Sequence, residues 1–432
     1  MVINKIVIDG FANIDSVELN IEKFNALVAL NNYGKSNVIF GIYFGVSFIK
    51  EQSSVKNDMM AYKPVIPINK NIDNKSFKFQ IDFITMFSNE EYIVSYKYSF
   101  DWIKNITTKG QRIKEEVLRV KANRPEAKFK KLISRNLKDT FYMSSQTGRC
   151  DKSINVQKDE LAVNKLKNFD DLFYLSVLNE INKLTVIQVD TLQDPDKLFR
   201  RIRPEIIKTD YSLAVPESYN VAFFIYSLKQ QRSDLFELFK DSIISLLPGL
   251  EDFEPVEIDL KKNTILKGEK GNLPLDFPEK LYDIRVKEIN NNQQTDITRL
   301  SSGSQKLFYV LALTLSAEIN NVSLVTFEEL ENSIHPGLLQ KLLMILDGLI
   351  ENTKIILTSH SPYLIQYLDI DKIKIGIPNS KGLANFNDVK KSRFKRIVSM
   401  AEEEGVSVGD FIFDKMIECS NGESQILDDL CK

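Results

Sequence analysis

The residues with the plainest chemical use lie in the stretch Ala29-Leu30-Asn31-Asn32-Tyr33-Gly34-Lys35-Ser36, directly after the apolar run FNALVA. The spacing is that of a phosphate-binding loop, G-x-x-x-x-G-K-[ST], in which backbone N–H groups wrap phosphate oxygens, the lysine bridges the terminal phosphates and the hydroxyl holds Mg²⁺. One fixed position departs: alanine stands at Ala29, where the pattern has its first glycine. Gly34 falls where backbone must approach a phosphate, Lys35 and Ser36 keep the two side-chain roles, and Asn31, Asn32 and Asn37 complete the candidate contact set. A helix beginning near Ser36 would point its positive end at the ligand. Alanine can replace glycine wherever φ stays negative, so the charged chemistry is predicted to survive, with some restriction of the loop.

Three further motifs come much later in the chain. LSSGSQ, Leu300 to Gln305, is a serine-glycine turn at the start of an apolar helix, a second anion-binding geometry that supplies Ser301, Ser302 and Gly303. VSLVTFEELENSIHP is an apolar strand tipped by two carboxylates, Glu328 and Glu329. Adjacent acids at the end of a buried strand are costly unless they serve a metal and polarise water. TKIILTSHSPYLI is another apolar strand, ending in Ser359 and His360. The chain has two histidines, and both, His335 and His360, fall in these strand-end motifs.

Elements that must position these groups are legible in the periodicity. INKIVIDGF, IDSVELNI and NALVAL read as strand, turn, strand, strand before the loop, and SNVIFGIYFGVSFI as a buried helix after it. FKFQIDFITMF and EYIVSYKYSF alternate as two strands with a turn around SNEE. A helical region is predicted next, including DDLFYLSVLNEINKL and VAFFIYSLKQQRSDLFELFKDSIISLL, the latter ending at Pro248-Gly249. No internal repeat and no sustained heptad occurs.

Composition narrows the classes. With 57 basic and 59 acidic residues, bulk charge gives no reason to coat nucleic acid or a membrane. A local excess does exist: Lys104 to Lys138 holds 12 Lys or Arg against three acids, read either as a solvated helix face or as a contact surface for nucleic acid phosphates or an acidic partner. Three scattered cysteines, Cys150, Cys419 and Cys431, give neither a disulfide framework nor a zinc site and suit a reducing compartment. No uninterrupted apolar run of about 18 residues appears, so the expectation is a cytoplasmic protein with no membrane segment.

Taken in order, YGKSN, LSSGSQ, ELENSIHP and ILTSHSP resemble the ABC-type ATPase head of the group that includes SMC proteins, RecF and the OLD nucleases. They resemble more closely the single-chain OLD-like AAA ATPases of bacterial anti-phage defence operons. The resemblance covers Met1 to about Lys50 and Pro204 to Leu368. It implies an α/β fold, a P-loop NTPase sheet joined by antiparallel N-terminal β-strands, with an inserted mostly helical region. The domain plan is 1–100 for the N-terminal lobe, 101–290 for the basic and helical insertion, 291–385 for the C-terminal lobe and 386–432 for a helical extension. It further implies ATP and Mg²⁺ as ligands: Lys35 on the β and γ phosphates, Ser36 and Glu328 on the metal, Glu329 orienting or activating water, and His360 sensing the γ-phosphate. Ser301, Ser302 and Gly303 would touch a nucleotide held by the opposite subunit of a homodimer or higher oligomer. Ala29, and Glu328 where the family has Asp, predict slow hydrolysis; Gln188 and Gln193 are candidates for the glutamine that such heads use.

OLD nucleases append a Toprim domain, but only about 70 residues follow His360, and both histidines are already placed. The expectation is therefore a separate effector, a nuclease, with this chain as sensor, scaffold or motor. A DNA-repair ATPase that binds DNA through 104–138 and a non-catalytic scaffold are the alternatives.

Overall fold

The computed structural model describes residues 1–87, 89–104, 112–189, 213, 221–259, 280–332, 334–377, 381–421 and 427. Gln193, Lys109 and Cys431 lie outside the described residues. Two compact units form: 1–190 with 323–329 and 352–432, and 191–322 with 330–351.

In the first unit β1 (Val2–Phe11), β2 (Ile14–Asn20) and β3 (Phe24–Val28) precede the loop and α1 (Lys35–Lys50) succeeds it, as the sequence predicts. After α2 (Ser53–Met60) come β4 (Phe77–Phe87) and β5 (Glu90–Phe100), whose strict alternation buries Phe77, Phe79, Ile81 and Phe83 on one face and Val94, Tyr96, Tyr98 and Phe100 beside them. Against that face α1 lays Phe44 and Phe48, with ring centroids 5.3 Å from Phe77 and 4.8 Å from Phe100 respectively. Each such ring removed from water contributes roughly 1.5–3 kcal/mol.

Strands, not the predicted helical insertion, come next. β6 (Ile113–Ala122), β7 (Lys130–Arg135), β8 (Thr140–Met143) and β9 (Cys150–Ser153) extend the antiparallel sheet to the order β2-β1-β4-β5-β6-β7-β8-β9. The described part of the basic stretch is thus largely sheet, not a helix face. Ile113, Leu118, Val120, Leu132 and Ile133 bury between its charges, a half-buried strand pattern that the charge count obscures. The fully buried Glu116 is held by the N–H groups of Ala162 and Val163 at 2.6 and 2.9 Å and by the Tyr96 hydroxyl at 3.0 Å. Burial pushes its carboxyl up, and those bonds oppose the shift. Helices then appear: α3 (Ala162–Leu166) and α4 (Leu175–Lys183), before β10 (Val186–Val189).

The second unit carries α5 (Val221–Gln231) and α6 (Ser233–Leu246), a three-stranded antiparallel sheet of β11 (Leu250–Asp259), β12 (Lys280–Glu288) and β13 (Thr295–Asp296), and α7 (Ser302–Ile319). Phe239, Phe253 and Phe308 pack edge to face at its centre, the last two 4.9 Å apart. The chain returns to the first unit for β14 (Leu324–Glu328), leaves for α8 (Pro336–Leu349), and comes back for β15 (Lys354–Ser359), α9 (Tyr363–Tyr367), β16 (Ile373–Gly376), β17 (Phe386–Asp388), α10 (Lys391–Glu404) and α11 (Val408–Asn421).

These visits build the sheet that matters for the site, ordered β10-β14-β15-β3-β16-β17, with all strands parallel except β17. Leu324, Val325, Thr326 and Phe327 are fully buried, as a central parallel strand covered on both faces requires. Because β10, β14, β15 and β3 run the same way, Gln188, Glu328, Ser359 and the phosphate loop arrive at one sheet edge, where open α/β sheets bind ligands.

Candidate functional site

The loop backbone explains its residue types. Asn32 has φ 64° and Gly34 φ 91°, left-handed conformations that asparagine tolerates and glycine adopts freely. Alternation of this kind turns successive N–H groups inward as an anion nest. A side chain at Gly34 would also meet the Asn13 amide, 2.7 Å from its Oδ1. Ala29 is not among the residues with positive φ, so alanine sits there without strain and fully buried.

Lys35 is almost fully buried and its ammonium donates to the loop carbonyls of Ala29 at 2.7 Å and Leu30 at 3.1 Å. Ser36, exposed, donates through Oγ to Glu328 Oε2 at 2.8 Å, joining residues 292 positions apart. Gln188 Nε2 donates to the other oxygen, Glu328 Oε1, in a long bond of 3.4 Å. The extra methylene of Glu328 relative to aspartate therefore does not keep its carboxylate from the loop hydroxyl. Glu329 has φ 50°, its N–H donating to Thr358 O at 3.0 Å, and its Oε1 lies 3.3 Å from His360 Nδ1. A non-glycine residue held in that conformation stores about 1–3 kcal/mol of strain, a cost typical of functional positions.

A hydroxyl and a carboxylate 2.8 Å apart beside a phosphate loop are hard oxygen donors suited to Mg²⁺, which takes one or two protein ligands and fills its shell from phosphates and water. No group of three or more His, Cys, Asp or Glu able to hold a metal occurs among the described residues.

Asn31 is exposed on the loop, and Asn37 donates through Nδ2 to Asn13 Oδ1 at 2.8 Å. Asn13 is a contributor that sequence reading missed. It sits in the β1–β2 turn, where asparagine is ordinary, and no pattern ties it to residues 24 positions later. The second unit holds Ser301, Ser302 and Gly303 at the start of α7, where the Ser301 Oγ accepts from the Ser304 N–H at 3.2 Å as an N-cap. Gln305 braces this turn by donating to Leu300 O at 3.0 Å. His335 caps α8, its Nδ1 accepting from the Gly337 N–H at 3.2 Å, so helix capping accounts for one of the two histidines.

A family described as "AAA domain, putative AbiEii toxin, Type IV TA system" matches residues 152–366. That span includes the serine-glycine turn, both strand-end carboxylates and His360, and begins after the phosphate loop, which stands on its own motif and geometry. No curated protein matches the chain. Similar solved structures include an SMC head bound to the C-winged helix domain of ScpA (13% identity, 92% of this chain and 100% of that one, TM-score 0.48). An SMC head domain from Thermotoga maritima is 12% identical over 90% and 100% of the two chains, with a TM-score of 0.41. An SMC head with an extended coiled coil, bound to the C-terminal domain of ScpA derived from Pyrococcus furiosus, is 12% identical over 93% and 99%, with a TM-score of 0.47. The strand order and the loop after β3 make an α/β fold with a phosphate loop at the end of a mainly parallel sheet, and the matched family is described as an AAA domain.

Proposed function

We propose that this chain binds and slowly hydrolyses ATP with Mg²⁺, closes as a homodimer around shared nucleotides, and through that switch controls a separate effector, a nuclease, in bacterial anti-phage defence. The observation that carries the catalytic part is convergence: Ser36 on Glu328 at 2.8 Å and Glu329 beside His360 at 3.3 Å unite three distant segments at one sheet edge. The defence setting rests on the sequence resemblance, in keeping with a family described by a toxin–antitoxin system.

Bound Mg²⁺ would draw charge off the β and γ phosphate oxygens. Ser36 and Glu328 are the protein oxygens placed to hold it. Lys35 has to trade two loop carbonyls for phosphate oxygens, an exchange of neutral for anionic acceptors that favours the bound state. Glu329 accepts a proton from attacking water or orients it, and His360 fixes the carboxylate from Nδ1. Ser301, Ser302 and Gly303 close the site from the other subunit. Loss of the γ-phosphate removes what joins the heads, a ligand-driven shift between two arrangements.

Phosphate release by the native chain and by Glu329→Gln, each with its sedimentation profile, tests the reading. A hydrolytic switch gives turnover in the native chain, loss of at least a hundredfold in the variant, and a persistent ATP-dependent dimer. Equal inactivity of both, with dimers preserved, would instead mark a scaffold.

One observation favours the DNA-binding alternative. Exposed Arg119 on β6 lies opposite exposed Lys131 on β7, and like charges directly opposed cost stability unless an anion lies across them. Duplex affinity that falls steeply with salt and is lost in an Arg119→Gln, Lys131→Gln double variant would support a repair-type ATPase.

A further inference from the structure

The first turn of α1 must keep its N–H groups unspent if phosphate is to reach them, and it does: Gly34 is the N-cap and no side chain caps the helix. An uncapped start forgoes a stabilising bond, so the loop has to be held by other means. Lys35 holds it from within, through Ala29 O and Leu30 O, and those are the bonds that phosphate oxygens would take over. The remaining ties come from outside the four motifs. Asn37, the third residue of α1, donates from Nδ2 to Asn13 Oδ1 at 2.8 Å, across 24 positions of the chain. The same Asn13 amide crowds the loop at Gly34. A Cβ built there would lie 2.7 Å from Asn13 Oδ1, 3.0 Å from Asn13 Nδ2 and 2.9 Å from Ala384 Cβ. Asn13 and Ala384 are themselves joined: the Asn13 carbonyl accepts from the Ala384 N–H at 2.9 Å, and a parallel bridge pairs Ile14 with Ala384, which is buried.

We propose that Asn13 is a positioning residue of the phosphate loop: from the β1–β2 turn it holds Gly34 and the first turn of α1 in place through Asn37, with no bond of its own to the nucleotide. The proposal rests on the ATPase reading and goes beyond it by giving a role to a residue that belongs to none of the motifs. When Lys35 leaves the loop carbonyls for phosphate, the Asn13–Asn37 bond is a tie that does not have to break. A loop held in this way has its nest of N–H groups formed before nucleotide arrives, which spares the ordering cost that binding would otherwise carry. A direct contact is the competing role, because the Asn13 Nδ2 has no acceptor among the described residues.

The test is a cycle of Asn13→Ala, Asn37→Ala and the pair combined, on the full chain, with turnover and the affinities for ATP and for inorganic tripolyphosphate measured separately. Folding of each is checked by the fluorescence of Trp102, the sole tryptophan, whose Nε1 donates to Gly10 O close to the turn. A lost neutral hydrogen bond corresponds to about a two- to twelvefold weaker affinity. Each single variant should weaken ATP and tripolyphosphate by the same factor in that range at unchanged kcat, because the nest holds phosphates and not the nucleoside. The double variant should bind no more weakly than the weaker single one. Native affinity in both folded single variants, or factors that multiply in the double variant, would overturn the positioning role. Weakened ATP with native tripolyphosphate affinity in Asn13→Ala would overturn it too, by making Asn13 a contact of the nucleoside. A native chain that binds neither ATP nor tripolyphosphate would instead overturn the ATPase reading beneath it. If Asn13→Ala does not fold, Asn13→Ser, a residue at home in turns, takes its place in the cycle.

Discussion

Ala29 and Gly376 share one buried space between two neighbouring strands, and its energetics can be worked out. β16 runs parallel to β3 with Ile375 paired to Val28, which brings Gly376 beside Ala29, the residue standing where a phosphate loop has its first glycine. A Cβ built at Gly376 would lie 2.5 Å from Ala29 Cβ, inside any tolerable contact, and a tight 3.1 Å from Phe386 Cε1. Glycine at 376 therefore makes room for alanine at 29. Gly376→Ala should destabilise the first unit by about 1–3 kcal/mol through overpacking. Ala29→Gly alone should cost about 1–2 kcal/mol, from a lost buried methyl and a freer unfolded backbone. Combined, the two should cost less than their sum by about 1–2 kcal/mol, because the methyl has only moved. Urea unfolding followed by Trp102 fluorescence is the assay, since that indole is buried in the first unit and donates from Nε1 to Gly10 O at 2.9 Å. With a slope of about 2 kcal/mol per molar urea, Gly376→Ala should lower the midpoint by about 0.5–1.5 M. Costs that add to within about 0.5 kcal/mol would refute the exchange.

Single contacts carry the remaining predictions. Ser36→Ala should abolish Mg²⁺-dependent turnover while sparing the fold, since the hydroxyl is exposed and its bond runs to Glu328; phosphate release at several Mg²⁺ concentrations checks it. Lys56→Met should destabilise by about 3 kcal/mol, because it strips a buried ammonium from Glu160 at 2.8 Å and leaves a half-buried carboxylate unpaired; thermal unfolding measures it. Glu160 itself sets a pH dependence. Burial pushes its carboxyl up, but bonds from Lys56, Asn164 and the Leu161 N–H outweigh that and hold it below its ordinary 4.5. A folded-state value below the unfolded one stabilises above the unfolded value and is lost as pH falls through the folded value. Urea midpoints of Glu160→Gln should accordingly fall less than those of the native chain between about pH 5 and pH 3, and parallel curves would contradict this.

How much of this was written in the sequence varies with the kind of signal. β4 and β5 were legible because Phe77, Phe79, Ile81 and Phe83 alternate without a break, and α1 because its apolar run comes after a loop that must end in a helix start. β6 and β7 were not, since their exposed residues are all Lys and Arg, and a charge count carries no period. Motif order anticipated that Ser36, Glu328, Glu329 and His360 would converge, because each ends or follows a predicted parallel strand. Asn13 and Gly376 escaped because their roles come from tertiary neighbours far along the chain, a turn amide and an absent Cβ, whereas α11 falls in the helical extension expected over 386–432. Of the two candidate glutamines, Gln188 is carried by β10 to Glu328, and Gln193 lies outside the described residues.

The central claim is that each nucleotide is held between the phosphate loop of one subunit and the serine-glycine turn of another. Mixing two inactive variants tests it directly. Lys35→Ala removes the loop cation, and Gly303→Glu puts a carboxylate in the first turn of α7, where the helix accepts it and a phosphate does not. Each alone should show no turnover, whereas an equal mixture should recover about a quarter of native activity, since half of the dimers are mixed and each has one intact site. Turnover by Gly303→Glu alone, or no recovery in a mixture shown to exchange subunits, would contradict the shared site.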